Sequence, residues 1–249
     1  MQESMKSEGK CLFCGEIFTK VGINKHLFAH LKEIGKSGQS GQSFLLKVEP
    51  LKRRSETPYF LSLWVDGETT LKTIDTFLRD IWLECCGHLS AFTLPGQKTA
   101  NKFNLKGIYN SFLVDNDSEY SDEISMRKKT KVVFSKGLKL EYTYDFGSST
   151  QLNITVISEI PVKADKKIVL LSRNEPLEIL CSVCKKAPAT QICTMCCYDE
   201  DAEFCEKCAK KHEKMCNDFA DYAAMPVVNS PRMGICGYKG GSIDTERDI

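Results

Sequence analysis

Leu138-Lys139-Leu140-Glu141-Tyr142-Thr143-Tyr144-Asp145-Phe146-Gly147-Ser148-Ser149-Thr150-Gln151-Leu152-Asn153-Ile154-Thr155-Val156 is the stretch from which the fold class is read. Leu138, Leu140, Tyr142, Tyr144 and Phe146 alternate with polar neighbours up to a Gly-Ser-Ser break, and Leu152, Ile154, Val156 and Ile160 then resume the period of two. Successive side chains of a strand point to opposite faces, so the pattern predicts two half-buried strands joined as a hairpin. Upstream, Phe44, Leu46 and Val48, then Tyr59, Leu61, Leu63 and Val65, alternate in the same way, with Ser62 and Asp66 on the other face. Between these strands and the hairpin, Leu71, Ile74, Leu78, Ile81 and Cys85 recur every three or four residues, and Phe77 and Trp82 widen the stripe. That spacing predicts an amphipathic helix opening at Thr69 or Thr70 and stopped by Gly87. Strand, strand, helix, strands reads as an α+β domain, an antiparallel sheet with a packed helix.

Cysteine position divides the rest of the chain. Of 13 cysteines, Cys11 and Cys14 sit near one end, eight lie between Cys181 and Cys216, and the middle holds Cys85 and Cys86. The expected organisation is a small module over 1–34, a Gly/Ser-rich flexible linker over 35–43, the α+β domain over 44–172, a second module over 178–220 and a C-terminal tail over 221–249. The polar start Met1-Gln2-Glu3-Ser4-Met5-Lys6 and the lack of an apolar run of ~18 residues argue against a signal peptide or a membrane span, so the expected setting is the cytoplasm. In a reducing compartment clustered cysteines more often hold metal than pair with one another. Net charge is +1, and nothing global marks a nucleic-acid binder. Residues 1–60 nevertheless carry 10 basic against 6 acidic side chains, which places any phosphate-facing surface at that end.

At the N-terminus Cys11, Cys14, His26 and His30 give C-x2-C-x11-H-x3-H. Two thiolates two residues apart fit one tight knuckle, and histidines four apart share one helix face, so together they offer zinc a tetrahedral set. Phe18 and Ile23 fall where a small core would form. The segment resembles a two-Cys two-His zinc finger, one residue shorter between its pairs than the usual twelve. The resemblance places Thr19, Gly22 and Lys25 near base-reading positions, a weak readout, while Lys20, Lys25 and Lys32 could hold phosphate without regard to sequence.

At the other end, Cys181, Cys184, Cys193, Cys196, Cys205, Cys208, His212 and Cys216 give eight candidate ligands within 36 residues, enough for two zinc ions. A segment so short can hardly fold on a hydrophobic core alone. It resembles a B-box zinc finger and, more distantly, a MYND finger. Those modules imply a cross-brace, with Cys181, Cys184, Cys205 and Cys208 on one ion and Cys193, Cys196, His212 and Cys216 on the other. Cys197 is an alternative to Cys196, and Cys216 stands where B-boxes place histidine. About three zinc ions per chain are expected in all.

Within the central domain, Leu46 to Glu49, Tyr59 to Val65, Gly87-His88-Leu89-Ser90-Ala91-Phe92 and Tyr142-Thr143-Tyr144-Asp145-Phe146-Gly147 resemble the plasmid open-reading-frame-three family, first named from a root-inducing plasmid and in part labelled as transposon passenger proteins. The resemblance covers residues 43–165 and extends to Asn229 to Tyr238. It implies a compact α+β fold and a link to mobile elements, and no established activity. After Gly147 this chain departs from the acidic and aromatic residues common in the family. Asp145-Phe146-Gly147 copies the kinase metal-binding tripeptide without a glycine-rich loop or a His-Arg-Asp loop, so kinase activity is not expected. Arg127-Lys128-Lys129-Thr130-Lys131 reads as a solvated loop, His88 as a packed or surface histidine, and Cys85-Cys86 as buried at a helix end. Cys197 and Cys236 are left without a role.

These readings converge on a non-catalytic zinc-binding interaction adaptor. A protein partner is expected at the C-terminal module, with nucleic acid at the finger as a further option and no membrane. The competing expectation is a hydrolase or nuclease with its site near His88, Asp145, Asp115 or Asp117.

Overall fold

The computed structural model describes residues 7–51, 57–96, 123–198 and 202–248. Asp115 and Asp117 lie outside the described residues. Six antiparallel strands, β3 (Ser40–Pro50), β4 (Leu61–Asp66), β5 (Ser90–Thr93), β6 (Lys139–Tyr144), β7 (Thr150–Val162) and β8 (Ile168–Arg173), form one sheet in the order β5-β6-β7-β3-β4-β8. The expected hairpin is β6 with β7, Tyr144 facing Thr150 across the turn. The fold is thus α+β, with mixed helices and antiparallel sheets beside small Cys/His clusters.

Helix α2 (Leu71–Leu78) starts where the Thr70 hydroxyl accepts the Thr73 amide at 3.3 Å, and continues through a wider π-type turn at Arg79–Leu83. Leu71, Ile74, Leu78, Ile81 and Trp82 are buried against Phe44, Leu46, Val48, Leu61, Leu63 and Val65, with Tyr142, Ile154 and Val156 from the hairpin. Asp75 is fully buried on the same helix. Burial opposes its charge, but Lys72, Ser90, Tyr142 and Arg79 hydrogen-bond it and hold its carboxyl below the usual range.

The opposite face of the sheet differs from the half-buried expectation. Every residue from Leu61 to Val65 is buried, Ser62 included, and so is Leu45. Helix α1 (Ile23–Ile34) covers this face. Its Ile23, Leu27 and Leu31 pack with Cys11, Leu45, Phe60, Trp64, Ile160, Val162 and Leu171, while Ser62 donates to Asn24 at 3.0 Å. A small hairpin, β1 (Glu8–Lys10) with β2 (Ile17–Thr19), brings α1 there, and the Leu12 amide donates to Leu171 of β8 at 2.9 Å. At Gly9 a β-carbon would meet the Phe60 ring at 2.5 Å and the Arg173 carbonyl at 2.7 Å, so only glycine permits this approach.

Residues 35–43, expected to be a flexible linker, instead run from the cap of α1 at Gly35 into β3 at Ser40. Ser40 pairs with Val162, and Gly38 and Gly41 lie against Val162 and Lys163. A β-carbon at Gly41 would run into Lys163 Cγ, so the absence of one allows the close passage. Residues 221–249, expected to be a tail, return across the central domain. Arg173 is fully buried and pairs with Asp244 and Asp248, the Asn174 amide donates to Asn229 at 2.6 Å, and Ser230 donates to the Trp82 carbonyl at 2.7 Å.

Between β8 and this returning segment sits a module with its own three-stranded sheet, β10 (Glu203–Phe204), β9 (Gln191–Cys193) and β11 (Ala224–Pro226), and helix α3 (Glu206–His212). Its core consists of Cys181, Cys193, Ala202, Phe204, Cys205, Cys208, Ala209, Phe219 and Ala223, and includes no residue of the central sheet.

Candidate metal centres

Among the described residues, four groups of Cys and His, each with its ligand atoms within 4.8 Å of one another, could hold a metal ion. In the first, the knuckle between β1 and β2 supplies Cys11 and Cys14, and one face of α1 supplies His26 and His30. The knuckle closes through the Gly15 amide donating to the Cys11 carbonyl at 2.8 Å, with Gly15 at φ 81°. Cys14 Sγ lies 3.2 Å from His26 Nε2, and His30 Nε2 lies 3.1 Å from the same atom. Phe18 stacks on His26 at 4.0 Å, fixing the ring.

The second and third groups share the C-terminal module. Cys181, Cys184, Cys205 and Cys208 converge in one, and Cys193, Cys196, His212 and Cys216 in the other. The first pair repeats the finger's turn, since the Lys185 amide donates to the Cys181 carbonyl at 2.9 Å and Lys185 takes φ 53°. Helix α3 carries Cys208 and His212 one turn apart, and Phe204 stacks on His212 at 4.3 Å. Cys197 stands outside the group, its thiol directed to the Thr194 carbonyl at 3.4 Å.

Thiol chemistry in this module favours a cation. Burial opposes ionisation of Cys181, but amide donors of Cys184, Cys205 and Val183 outweigh it and bring the thiol down to about 6. Burial pushes its neighbour Cys208 up to about 12, and the Cys205 and Cys181 thiols add to the rise. In the other group burial and the Cys193 and Cys216 thiols push Cys196 up to about 12. Amides of Lys186 and Ala187 bring Cys184 down as well, so the thiols ionise unevenly, and those pushed up need a positive charge nearby to offset repulsion.

The fourth group, Cys85, Cys86, His88 and Cys236, departs from the expectations for those residues. Cys86 is exposed instead of buried, because the π-type turn ends at Leu83 and the chain leaves the helix before reaching it. His88 is drawn between Cys86 and Cys236, and Cys236 arrives on the returning C-terminal segment. The readable signal was the adjacency Cys85-Cys86-Gly87-His88. Cys236 lies too far along the chain for spacing to connect it.

The Tyr144-Asp145-Phe146-Gly147 turn lies beside this group. Asp145 takes φ 63° and accepts the Gly147 amide at 2.9 Å. Fully buried Arg232 donates to Asp145 Oδ2 at 2.8 Å, to the Ser148 carbonyl at 3.1 Å and to Thr150 at 3.0 Å. Burial opposes the Asp145 charge, yet Arg232 and the amides of Gly147 and Ser148 hold its carboxyl below the usual range. The turn thus serves as a socket for the arginine of the returning segment.

The lysines expected to meet phosphate are not equivalent. Lys20 is engaged by Glu49 at 2.7 Å and donates to the carbonyls of Thr57 at 2.6 Å and Tyr59 at 3.4 Å, so it is spent within the fold. Lys25 and Lys32 are exposed on α1. In the run after Arg127, Lys129 pairs with Glu68 at 2.7 Å, and Lys131 pairs with the same carboxylate.

No protein-family model matches the chain, and no curated protein does. Among solved structures, that of a protein of unknown function from Methanosarcina mazei Go1 is similar, at 14% identity over 54% of this chain and 68% of that one, with a TM-score of 0.37. A likeness that loose carries no functional argument. Among the described residues, no helix is long and apolar enough to cross a membrane.

Proposed function

We propose that this chain is a non-catalytic zinc-binding interaction adaptor that docks a protein partner through residues 178–220. The observation carrying the reading is the completeness of the ligand sets. The finger and the two C-terminal groups each offer four side chains to one ion, which leaves no open position for an activated water. Soft thiolate and imidazole donors in tetrahedral number select zinc over hard cations such as magnesium. Val183, Met195, Met215 and Tyr222 are exposed around the C-terminal module, apolar surface of the kind that contacts between proteins cover. The hydrolase alternative has less to draw on, since Asp145 is already held by Arg232 and the Gly147 amide. The mobile-element association rests on the naming of the family that the central domain resembles and on nothing else.

Two measurements test this reading. Native mass spectrometry of the full chain and of Cys14→Ser, Cys184→Ser and Cys193→Ser is expected to show each variant one zinc lighter than the parent; unchanged counts would overturn the assignment. A pulldown from the native host is expected to retain a partner that Cys184→Ser loses. If a salt-dependent shift of labelled DNA appears instead and vanishes on changing Lys25 and Lys32 to Glu, nucleic acid is the partner.

A further inference from the structure

We propose that Cys85, Cys86, His88 and Cys236 form a fourth zinc site, one that clamps the returning C-terminal segment to the end of helix α2. The proposal stands apart from the adaptor reading, because the three other sites contain none of these residues.

Geometry is the first argument. Zinc with sulfur ligands at ~2.3 Å and tetrahedral angles places those sulfurs ~3.8 Å apart. Cys86 Sγ lies 3.7 Å from Cys85 Sγ and 3.8 Å from Cys236 Sγ. His88 Nε2 lies 2.9 Å from Cys86 Sγ and 3.2 Å from Cys236 Sγ, against 3.2 Å between Cys14 and His26 in the finger. All four ligand atoms fall within the 4.8 Å span that the other groups show.

Backbone conformation is the second and independent argument. In the finger and at the Cys181–Cys184 knuckle of the C-terminal module, though not after Cys196 or Cys208, the residue after the second cysteine has positive φ, namely Gly15 at 81° and Lys185 at 53°. Such a turn lifts the chain away from the metal and leaves amides facing the sulfur. The same feature recurs after both outer cysteines of the fourth group, at Gly87 with φ 77° and Gly237 with φ 67°. Cys236 itself takes φ 49°, a strained conformation for a residue with a β-carbon, held only where the surroundings over-determine it. Neither Cys86 nor Cys236 is buried, so apolar packing does not account for their convergence from positions 150 residues apart.

The surroundings suit a charged cluster. Three thiolates and a neutral imidazole around a divalent ion leave one net negative charge, and Arg232 donates to Cys85 Sγ at 3.5 Å to meet it. Pairing of His88 with Asp145 at 3.5 Å is a weaker explanation for the histidine, because Asp145 already accepts from Arg232 at a shorter distance.

Zinc content of the reduced full chain is the test. The parent is expected to carry one ion in each of the four groups, and Cys236→Ser and His88→Ala one fewer, while His88→Cys, which keeps four soft ligands, retains it. With cobalt as probe, Cys236→Ser should lose the share of thiolate charge-transfer absorbance belonging to this site, and its far-ultraviolet circular dichroism should stay that of the parent. Because two of its ligands are exposed, this ion should also be the first lost to a chelator. A parent with no more than three ions, or variants with the parent's count, would overturn the proposal. So would a Cys86–Cys236 disulfide in freshly reduced protein. Cys14→Ser and Cys193→Ser in the same series report on the adaptor reading separately, so failure of either can be told from failure of the other.

Discussion

Replacing Cys11 and Cys14 by serine is expected to unfold far more than the finger. Such a chain should melt at a much lower temperature throughout the central domain and bind a hydrophobic dye, whereas Cys181→Ser with Cys184→Ser should leave the melting of the central sheet close to that of the parent. The contrast follows from where each module buries its apolar side chains. Helix α1 places Ile23, Leu27 and Leu31 at zero exposure against the sheet face bearing Leu45, Phe60 and Trp64. Burying one such side chain contributes about 1.5–3 kcal/mol, so three together approach the ~5–15 kcal/mol that holds a whole domain folded. Zinc binding in finger peptides contributes ~10–16 kcal/mol, more than the Ser62–Asn24 hydrogen bond and the Lys20–Glu49 pair that also tie this segment to the sheet. The C-terminal module instead buries its cysteines and Phe204, Phe219 and Ala223 among themselves. Circular dichroism melts of the two double variants decide the matter. A finger-dead chain whose central domain melts like the parent would show that the sheet does not need α1.

That dependence marks the limit of what periodicity could reveal. The hairpin, the helix at Leu71 and the grouping of cysteines were legible because each is a local pattern, with period two, period 3.6 or fixed ligand spacing. What the far face of the sheet packs against was not legible, because it is set by contacts between residues about forty apart, such as Asn24 with Ser62. Leu45 and Trp64 were the available hint, two large apolar residues on a face otherwise read as polar. The linker reading failed for a related reason. Gly and Ser lower the burial a segment can supply, yet Gly38 and Gly41 are used for close approach to Val162 and Lys163. Likewise, Lys20 looks like a phosphate contact in sequence because its partner Glu49 belongs to another element. Cys236 had no meaning until the chain returned it to His88.

Arg173→Leu is expected to destabilise the protein by about 3–5 kcal/mol, the usual cost of leaving a buried charge without its partner. Arg173 has no exposed surface, and it donates to Asp248, to Asn229 and, at 3.2 Å, to Asp244. Those two carboxylates have side chains only 7% and 10% exposed. Arg247 still pairs with Asp244 in the variant, so the orphaned charge is that of Asp248. Changing Asp248 to Asn in the Arg173→Leu background should therefore recover most of the loss, although Asp248→Asn alone is destabilising. Urea unfolding of the two single variants and the double variant closes the cycle. Additive losses would mean that the pair is not coupled. The local consequence separates this from a general loss of packing. Arg173 holds the segment that carries Ser230, Arg232 and Cys236, and at Gly241 a β-carbon would lie 2.6 Å from the Ile81 carbonyl, so that segment fits its groove only when fully seated. Under mild conditions Arg173→Leu should thus become sensitive to protease between residues 227 and 248 before the central sheet opens, and Arg173→Lys should be intermediate, because one ammonium cannot reach both carboxylates and the Asn229 carbonyl in a fixed fork.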